Sequence, residues 1–494
     1  MTCRNGTHRT AVLIASLFWI CIASSPGQTI PRTWDETALD QMQTPLRDPA
    51  RTPKHLPSVF YYRVPTVPIY KTYPVYAPGR GPAGYQEQLR QVEPEIVFDP
   101  GRLHTPAEWA KAGETIFDAP TAFQNPAQAR TGPQWFPAAG VPVAADGTYP
   151  YIRYVIRKKG EVELGGNSCA GCHTRVMPDG NVVKGAQGNF PVDRVAAESL
   201  RALAKLSGDA GKVDQRMKLM LRTFFAAPWI QPDPYERVAK LSVEELAAHL
   251  SLIPAGVMTR DGSTFDAPPQ IPDLIGIRDR RYLNHTGTHL HLSAVDLMRY
   301  AALAQGAETG SSWGDFRLVP LGPDGPAVPP GVARYSDEAL YALALYIYAL
   351  QPPANPNHQD MQSRAGRLVF EREGCGGCHT APLYTNNKLT PATGFEIPTS
   401  GATVADVMPV RVGTDPELAM RSRRGTGYYK VPSLKGVWYR GPFGHGGTSP
   451  TLEDWLDAAR LTGQGTRKPS PGHEYGLRLK SDEKRALIAF LRTL

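Results

Sequence analysis

Cys169-Ala-Gly-Cys172-His173 and Cys375-Gly-Gly-Cys378-His379 are the two stretches that decide how this chain reads. Each is Cys-x-x-Cys-His, the spacing that attaches a c-type haem. Two thiols three positions apart lie on adjacent turns of a short helix, where both can bond the haem vinyl groups. The next residue turns its imidazole to the iron. A zinc site or a thiol redox pair also uses paired cysteines, but neither accounts for a His directly after both pairs. The motifs therefore predict two covalent c-type haems on Cys169, Cys172, Cys375 and Cys378, with His173 and His379 as proximal iron ligands.

The cysteine count agrees. The chain has 6 Cys, and Cys3 and Cys21 fall in residues 1–27, which read as a secretory signal. Arg4, His8 and Arg9 make its basic start. Ala11 to Ile22 is an apolar run too short to span a bilayer, and small residues from Ala23 to Gln28 suit cleavage. An uncleaved anchor is the alternative. The four remaining Cys all belong to the motifs, which leaves none for a disulfide. Covalent haem attachment in bacteria happens outside the cytoplasm, so the expected location is periplasmic or secreted. No later stretch is apolar enough to be a transmembrane segment.

A formal charge of +8 comes with no nucleic-acid motif. Scattered Lys and Arg fit solubility and pairing with haem propionates. An acidic electron-transfer partner is the sharper alternative. A content of 41% hydrophobic and 20% charged residues is that of a globular chain, and 47 Pro with 47 Gly predict long loops.

Working outward from the motifs, Thr148 to Gly165 alternates as two strands around Lys158-Lys159-Gly160, a hairpin leading into Cys169. Before it, Thr105, Pro106 and Glu108 open a helix to Phe117. Residues 28–104 are Pro-rich with an aromatic run from Val59 to Tyr76. They read as an extended arm wrapping the body, with disorder as the alternative. Further helices are expected at Arg194 to Leu206, Val213 to Ala226, Ser242 to Leu252, Ala294 to Ala304 and Leu452 to Leu461.

An internal repeat ties the motifs together. Ala112-Gly113-Glu114-Thr115-Ile116-Phe117 resembles Ala365-Gly366-Arg367-Leu368-Val369-Phe370. Ile271-Pro272-Asp273-Leu274-Ile275-Gly276-Ile277 returns 160 positions later as Val431-Pro432-Ser433-Leu434-Lys435-Gly436-Val437. At the same offset Arg280 meets Arg440 and His285 meets His445. Ser336-Asp337-Glu338 and Ser481-Asp482-Glu483 each cap a closing apolar helix. The expected fold is mainly α, with two cytochrome c-like haem domains, 105–353 and 354–494. A small β-hairpin insert and a Pro-rich N-terminal arm complete it.

Two haem domains, a Pro-x-Leu-x-Gly segment before an aromatic-x-His-x-Gly loop, and capped closing helices resemble the bacterial di-haem cytochrome c peroxidase superfamily. That superfamily also holds the MauG enzymes and the rubber oxygenases. The resemblance covers about residues 105–494 and is clearest from Val431 to Trp455. It implies one haem that passes electrons and one that reacts with peroxide or dioxygen. It also implies a Trp between them, a calcium ion between the domains and a small redox protein as electron donor or acceptor. Two departures stand out. Where peroxidases place a Met ligand beyond the loop His, this chain has Ala459 and no Met nearby. The Trp-Asp-Gly-Arg loop of the first domain is replaced by Leu283-Asn284-His285-Thr286-Gly287-Thr288. Both lean towards the rubber oxygenase branch, which uses bis-His ligation at its second haem.

For the second sixth ligand the candidates are His473, His445 and Met408. The Gly472-His473-Glu474-Tyr475-Gly476 loop makes His473 the choice, because a similar run recurs there in related sequences. At the first haem, His289 and His291 are candidate distal groups, either blocking the iron or assisting peroxide cleavage. Surface or propionate-contacting roles are the alternative. The Pro320 to Gly331 stretch holds no His or Met, so an open first iron is expected. Trp229, then Trp313, is the candidate bridge, against a plain core role. The functional expectation is a di-haem, peroxidase-like redox enzyme. The alternatives are an electron carrier with both irons six-coordinate and an oxygenase acting on an apolar substrate.

Overall fold

Each half of the chain is built on one crossed helix pair, and the repeat explains both. Thr105 accepts from the Glu108 N–H while Glu108 caps back, so Pro106–Asp118 begins where the capping box sits. It packs across Asp337–Ala349. In the second half Met361–Arg372 packs across Ser481–Arg492. The glycine of each repeat lies at the crossing. A Cβ on Gly113 would sit 2.0 Å from the Ala342 carbonyl oxygen, and one on Gly366 would sit 1.8 Å from that of Ala486. Ser481 is the first helical residue rather than the cap, which is Lys480.

The computed structural model describes residues 29–494 apart from 127–128, 130–131, 208–214, 261, 320, 323–324, 327–332, 400–405 and 465–467. The signal read in residues 1–27 lies outside the described residues.

The expected hairpin forms as Thr148–Lys158 and Glu161–Gly166, turning at Gly160 with φ +84. It is the centre of a four-stranded antiparallel sheet, with Thr72–Tyr76 on one edge and Ala122–Gln124 on the other. Tyr151, Ile152, Tyr154 and Ile156 of the long strand are buried with Phe136 and Phe190. The β content thus exceeds one hairpin, and the chain is partly helical with several small sheets.

The arm also departs from an extended chain. Glu36–Met42, Ser58–Tyr61 and Tyr85–Arg90 are helical. None contains Pro; the prolines fall between them, and Asp35 caps the first by accepting from the Ala38 N–H. Trp34 stacks on Tyr61 at 4.4 Å. Thr44 donates to Thr288 O at 2.8 Å and Arg47 to Gly425 O at 2.9 Å, so the arm runs along both halves.

Helices form at Val192–Ser207, Gln215–Phe225, Val243–Ser251 and Ala294–Ala304 as periodicity predicts. The one expected from Leu452 to Leu461 stops at Trp455. The Trp455 carbonyl accepts from the Arg460 side chain at 2.7 Å, and a separate turn, Ala458–Leu461, follows.

The halves meet through equivalent backbone bonds. Gln270 donates to His445 O at 2.6 Å, and Lys430 donates to His285 O at 2.9 Å. Pro31–Leu494 accordingly packs as one unit. No helix among the described residues is long and apolar enough to cross a membrane.

Candidate functional site

Both motif histidines bond the carbonyl of an equivalent proline, and His379 Nδ1 also reaches Tyr384 O at 3.2 Å. His173 Nδ1 donates to Pro272 O at 3.0 Å, and His379 Nδ1 to Pro432 O at 3.1 Å. These prolines are repeat partners. A carbonyl only accepts, so each Nδ1 carries the proton and each Nε2 keeps its lone pair free. Burial pushes His173 down to about 4 and lowers His379 as well. Both are neutral at pH 7, the state that binds a metal.

Cys375, Cys378 and His379 line a largely apolar slot of about 250 Å³ with Phe370, Leu487 and Leu491. His473 faces His379 across it, with ring centres 6.3 Å apart. Two iron–nitrogen bonds of about 2 Å, with about 1.2 Å more from each nitrogen to its ring centre, come to about 6.4 Å. Burial pushes His473 down to about 4, and its Nδ1 is buried without a partner. The donor set fits a haem between the two rings.

Cys169, Cys172 and His173 are half-buried. Among the described residues no other ring lies against His173. Cys172 Sγ is 3.5 Å from Met258 Sδ. Burial raises Cys169 to about 12 and Cys172 and Cys375 to about 11. That is opposite to a reactive redox dithiol. No group of three or more His, Cys, Asp or Glu converges among the described residues.

A small cavity of about 50 Å³ is lined by both Pro272 and Pro432, the prolines whose carbonyls hold the two motif histidines. Arg280, Arg440 and Lys430 face it, against one carboxylate, Asp273. Arg280 and Arg440 both reach that carboxylate, at 3.6 and 3.9 Å, and Tyr439 bonds it at 3.1 Å. The Lys430 ammonium donates to Tyr282 O at 3.2 Å; burial, then Arg280, Arg260 and Arg440, push it down to about 7. Burial also lowers Arg175, Arg260 and Arg440. Buried cations in such excess favour incoming carboxylates, which haem propionates supply. The same charge repels a divalent cation, so the calcium expected between the domains finds no seat here.

Several expected site residues lie elsewhere. His291 spends Nδ1 on Arg280 O at 2.8 Å and Nε2 on Tyr348 OH at 2.7 Å, leaving no nitrogen for a distal role. His289 is buried beside Tyr300, and burial pushes it down to about 3. Trp229 packs on Phe316 beside Trp313, in a cluster with Leu46 and Leu318 that contains no motif residue. His445, by contrast, lines the same slot as His379 and His473, where it stacks on Tyr429 at 3.6 Å; Met408 accepts from Asn386 at 2.8 Å.

Sequence reasoning missed Arg260, Asn284, Tyr300 and Arg460. Arg260 acts electrostatically on Cys172 and His173. Its Nη2 donates to Asn284 Oδ1 at 3.1 Å, and Tyr300 OH bonds the same oxygen. Asn284 has φ +62, outside the usual range for a side-chain-bearing residue. No spacing in the sequence marks these residues.

No family model matches the chain, and among curated proteins none matches it. Solved structures similar to parts of it include Kuenenia stuttgartiensis hydrazine synthase, with 16% identity and a TM-score of 0.31, covering 59% of this chain and 91% of that one. A MauG-like protein associated with microbial copper homeostasis has 17% identity and a TM-score of 0.30, covering 58% of this chain and 92% of that one.

Proposed function

We propose that the chain is a di-haem c-type redox enzyme, periplasmic or secreted, with one catalytic and one electron-transfer centre. Cys169, Cys172 and His173 of the 105–353 domain hold the first haem. Cys375, Cys378, His379 and His473 of the 354–494 domain hold the second. The observation that carries this reading is an asymmetry. His379 has a second imidazole opposed to it at 6.3 Å, and among the described residues His173 has none.

A centre ligated on both faces keeps its geometry when it gains or loses an electron, which suits transfer. A centre with one face free accepts an external ligand. Haem bound there supplies one-electron chemistry on peroxide or dioxygen. The protein's own groups prepare the site. Pro272 and Pro432 keep the Nδ1 protons in place, so that each Nε2 stays available. Arg280, Arg440 and Lys430 neutralise carboxylates between the centres. Arg260, fixed by Asn284, puts a positive group beside the first site. Electrons would come from a small redox protein.

The test begins with haem content, for which a pyridine haemochrome assay should give two haems per polypeptide. Cyanide or carbon monoxide should then bind one haem of the two, and peroxide should oxidise the pair by two electrons. If neither haem takes an external ligand in any redox state, the chain is an electron carrier and not an enzyme.

A further inference from the structure

We propose that Arg460 is the positioning residue that sets the axial imidazole of the second site, an inference that rests on His473 being its ligand. Arg460 is 1% exposed and makes no ion pair among the described residues. Its guanidinium is spent on backbone carbonyls instead. Nε donates to Trp455 O at 2.7 Å, Nη1 to Ser470 O, and Nη2 to Gly472 O and His473 O at 2.9 and 2.8 Å. One side chain thus ties the turn after Trp455 to the loop that carries His473.

That loop needs holding. Gly472 and His473 both have positive φ, +69 and +46. Glycine adopts this freely, but a histidine does so at a cost of roughly 1 kcal/mol or more. On one side the loop is pressed against backbone, since a Cβ on Gly472 would lie 2.1 Å from the Gly413 carbonyl carbon. There His473 N donates to Val412 O at 2.6 Å. On the other side Arg460 bonds it through Nη2. The Trp455 ring lies 4.5 Å from the guanidinium carbon and 5.4 Å from the His473 ring, so the indole registers the arginine against the imidazole.

The chemistry selects arginine. A planar fork with five donors spans carbonyls on two chain segments, whereas an ammonium with three donors on one atom cannot. The buried charge also sits where it acts on His473.

The experiment compares the oxidised visible and electron paramagnetic resonance spectra of the haem-loaded wild type with those of Arg460→Met, Arg460→Lys and His473→Ala. Arg460→Met should convert one haem of the two from low to high spin, and added imidazole should restore low spin. Arg460→Lys, which keeps the charge and part of the bonding, should show a mixture that turns high-spin on warming before the protein unfolds. A purely structural arginine would lower Tm with the low-spin spectrum intact. Low spin kept in the Arg460 variants but lost in His473→Ala overturns the role of Arg460 alone. Low spin kept in all three overturns the ligand reading and the positioning role together.

Discussion

The backbone N–H of Gln270 donates to the carbonyl oxygen of His445 over 2.6 Å. Lys430, the repeat partner of Gln270, returns the bond to His285, the repeat partner of His445, over 2.9 Å. The two halves are therefore joined by a frame that treats them alike. The same frame supplies Pro272 and Pro432, whose carbonyls hold the two motif histidines. Against it, one difference is informative. The second half brings His473 opposite its motif histidine, and the first half brings Met258 and Arg260 near its motif instead.

His473→Ala should leave the second haem attached through its two thioethers and take away one axial nitrogen. One haem of the two should turn from low to high spin while the other keeps its spectrum. An unchanged low-spin spectrum would falsify the assignment and move attention to His445.

Arg260→Leu should weaken anionic ligands at the first site and spare neutral ones. A hydrogen bond from a charged donor is worth about 1.5–3 kcal/mol, or roughly ten- to hundred-fold in affinity. Fluoride or cyanide binding should fall by about that factor, while carbon monoxide affinity should change little. Equal loss of both ligands would mean that the pocket has collapsed and that the charge is not what matters.

The motifs and most helices were legible because each rests on short-range spacing, and the repeat because its segment from Ile271 matches without a gap at one fixed offset. Cys-x-x-Cys-His fixes three side chains within one turn, and the capping box at Thr105 and Glu108 is local. The glycine-flanked loop singled out His473, whose ring lies 6.3 Å from that of His379. Arg260, Asn284 and Tyr300 were not, because they meet only when a loop and the Ala294–Ala304 helix fold together. His291 misled because local crowding of histidines says nothing of their partners. Its Nδ1 donates to Arg280 O, and its Nε2 pairs with Tyr348 OH, elsewhere in the chain. The edge strand Thr72–Tyr76 was hidden by its Pro74, which an edge position tolerates. Local propensity also could not show that Arg460 would take the Trp455 carbonyl and end a helix.

Gly113→Ala and Gly366→Ala separate intrinsic helix propensity from packing. Propensity alone favours Ala over Gly by about 1 kcal/mol in a helix interior. Here the new methyl would meet a carbonyl oxygen of the crossing helix at 2.0 Å or 1.8 Å, and that backbone cannot step aside cheaply. Overpacking of this kind costs roughly 1–3 kcal/mol or more, so the clash wins. Both variants should melt at lower temperature than the wild type. A rise in Tm for either would mean that its helix pair can open without penalty.

Acid sensitivity should be traceable to His55, which is not an iron ligand in the proposed reading and so reports on folding alone. Its ring is buried, with Nδ1 bonded to Ser311 Oγ at 3.0 Å and Nε2 without a partner. It lies edge-on to Trp34 at 5.9 Å. Burial pushes it down to about 4 from 6.5, with Glu308 opposing and Arg424 assisting. Between those values the unfolded chain binds a proton that the folded one refuses, so stability rises with pH across the window. The contribution is fully present above pH 6.5 and is lost as pH falls to about 4, up to about 3 kcal/mol. His55→Gln removes the titrating group. Its denaturant-unfolding free energy should therefore depend less steeply on pH between 6.5 and 4, by close to one proton. Identical slopes for the wild type and the variant would show that His55 takes up its proton in the folded state.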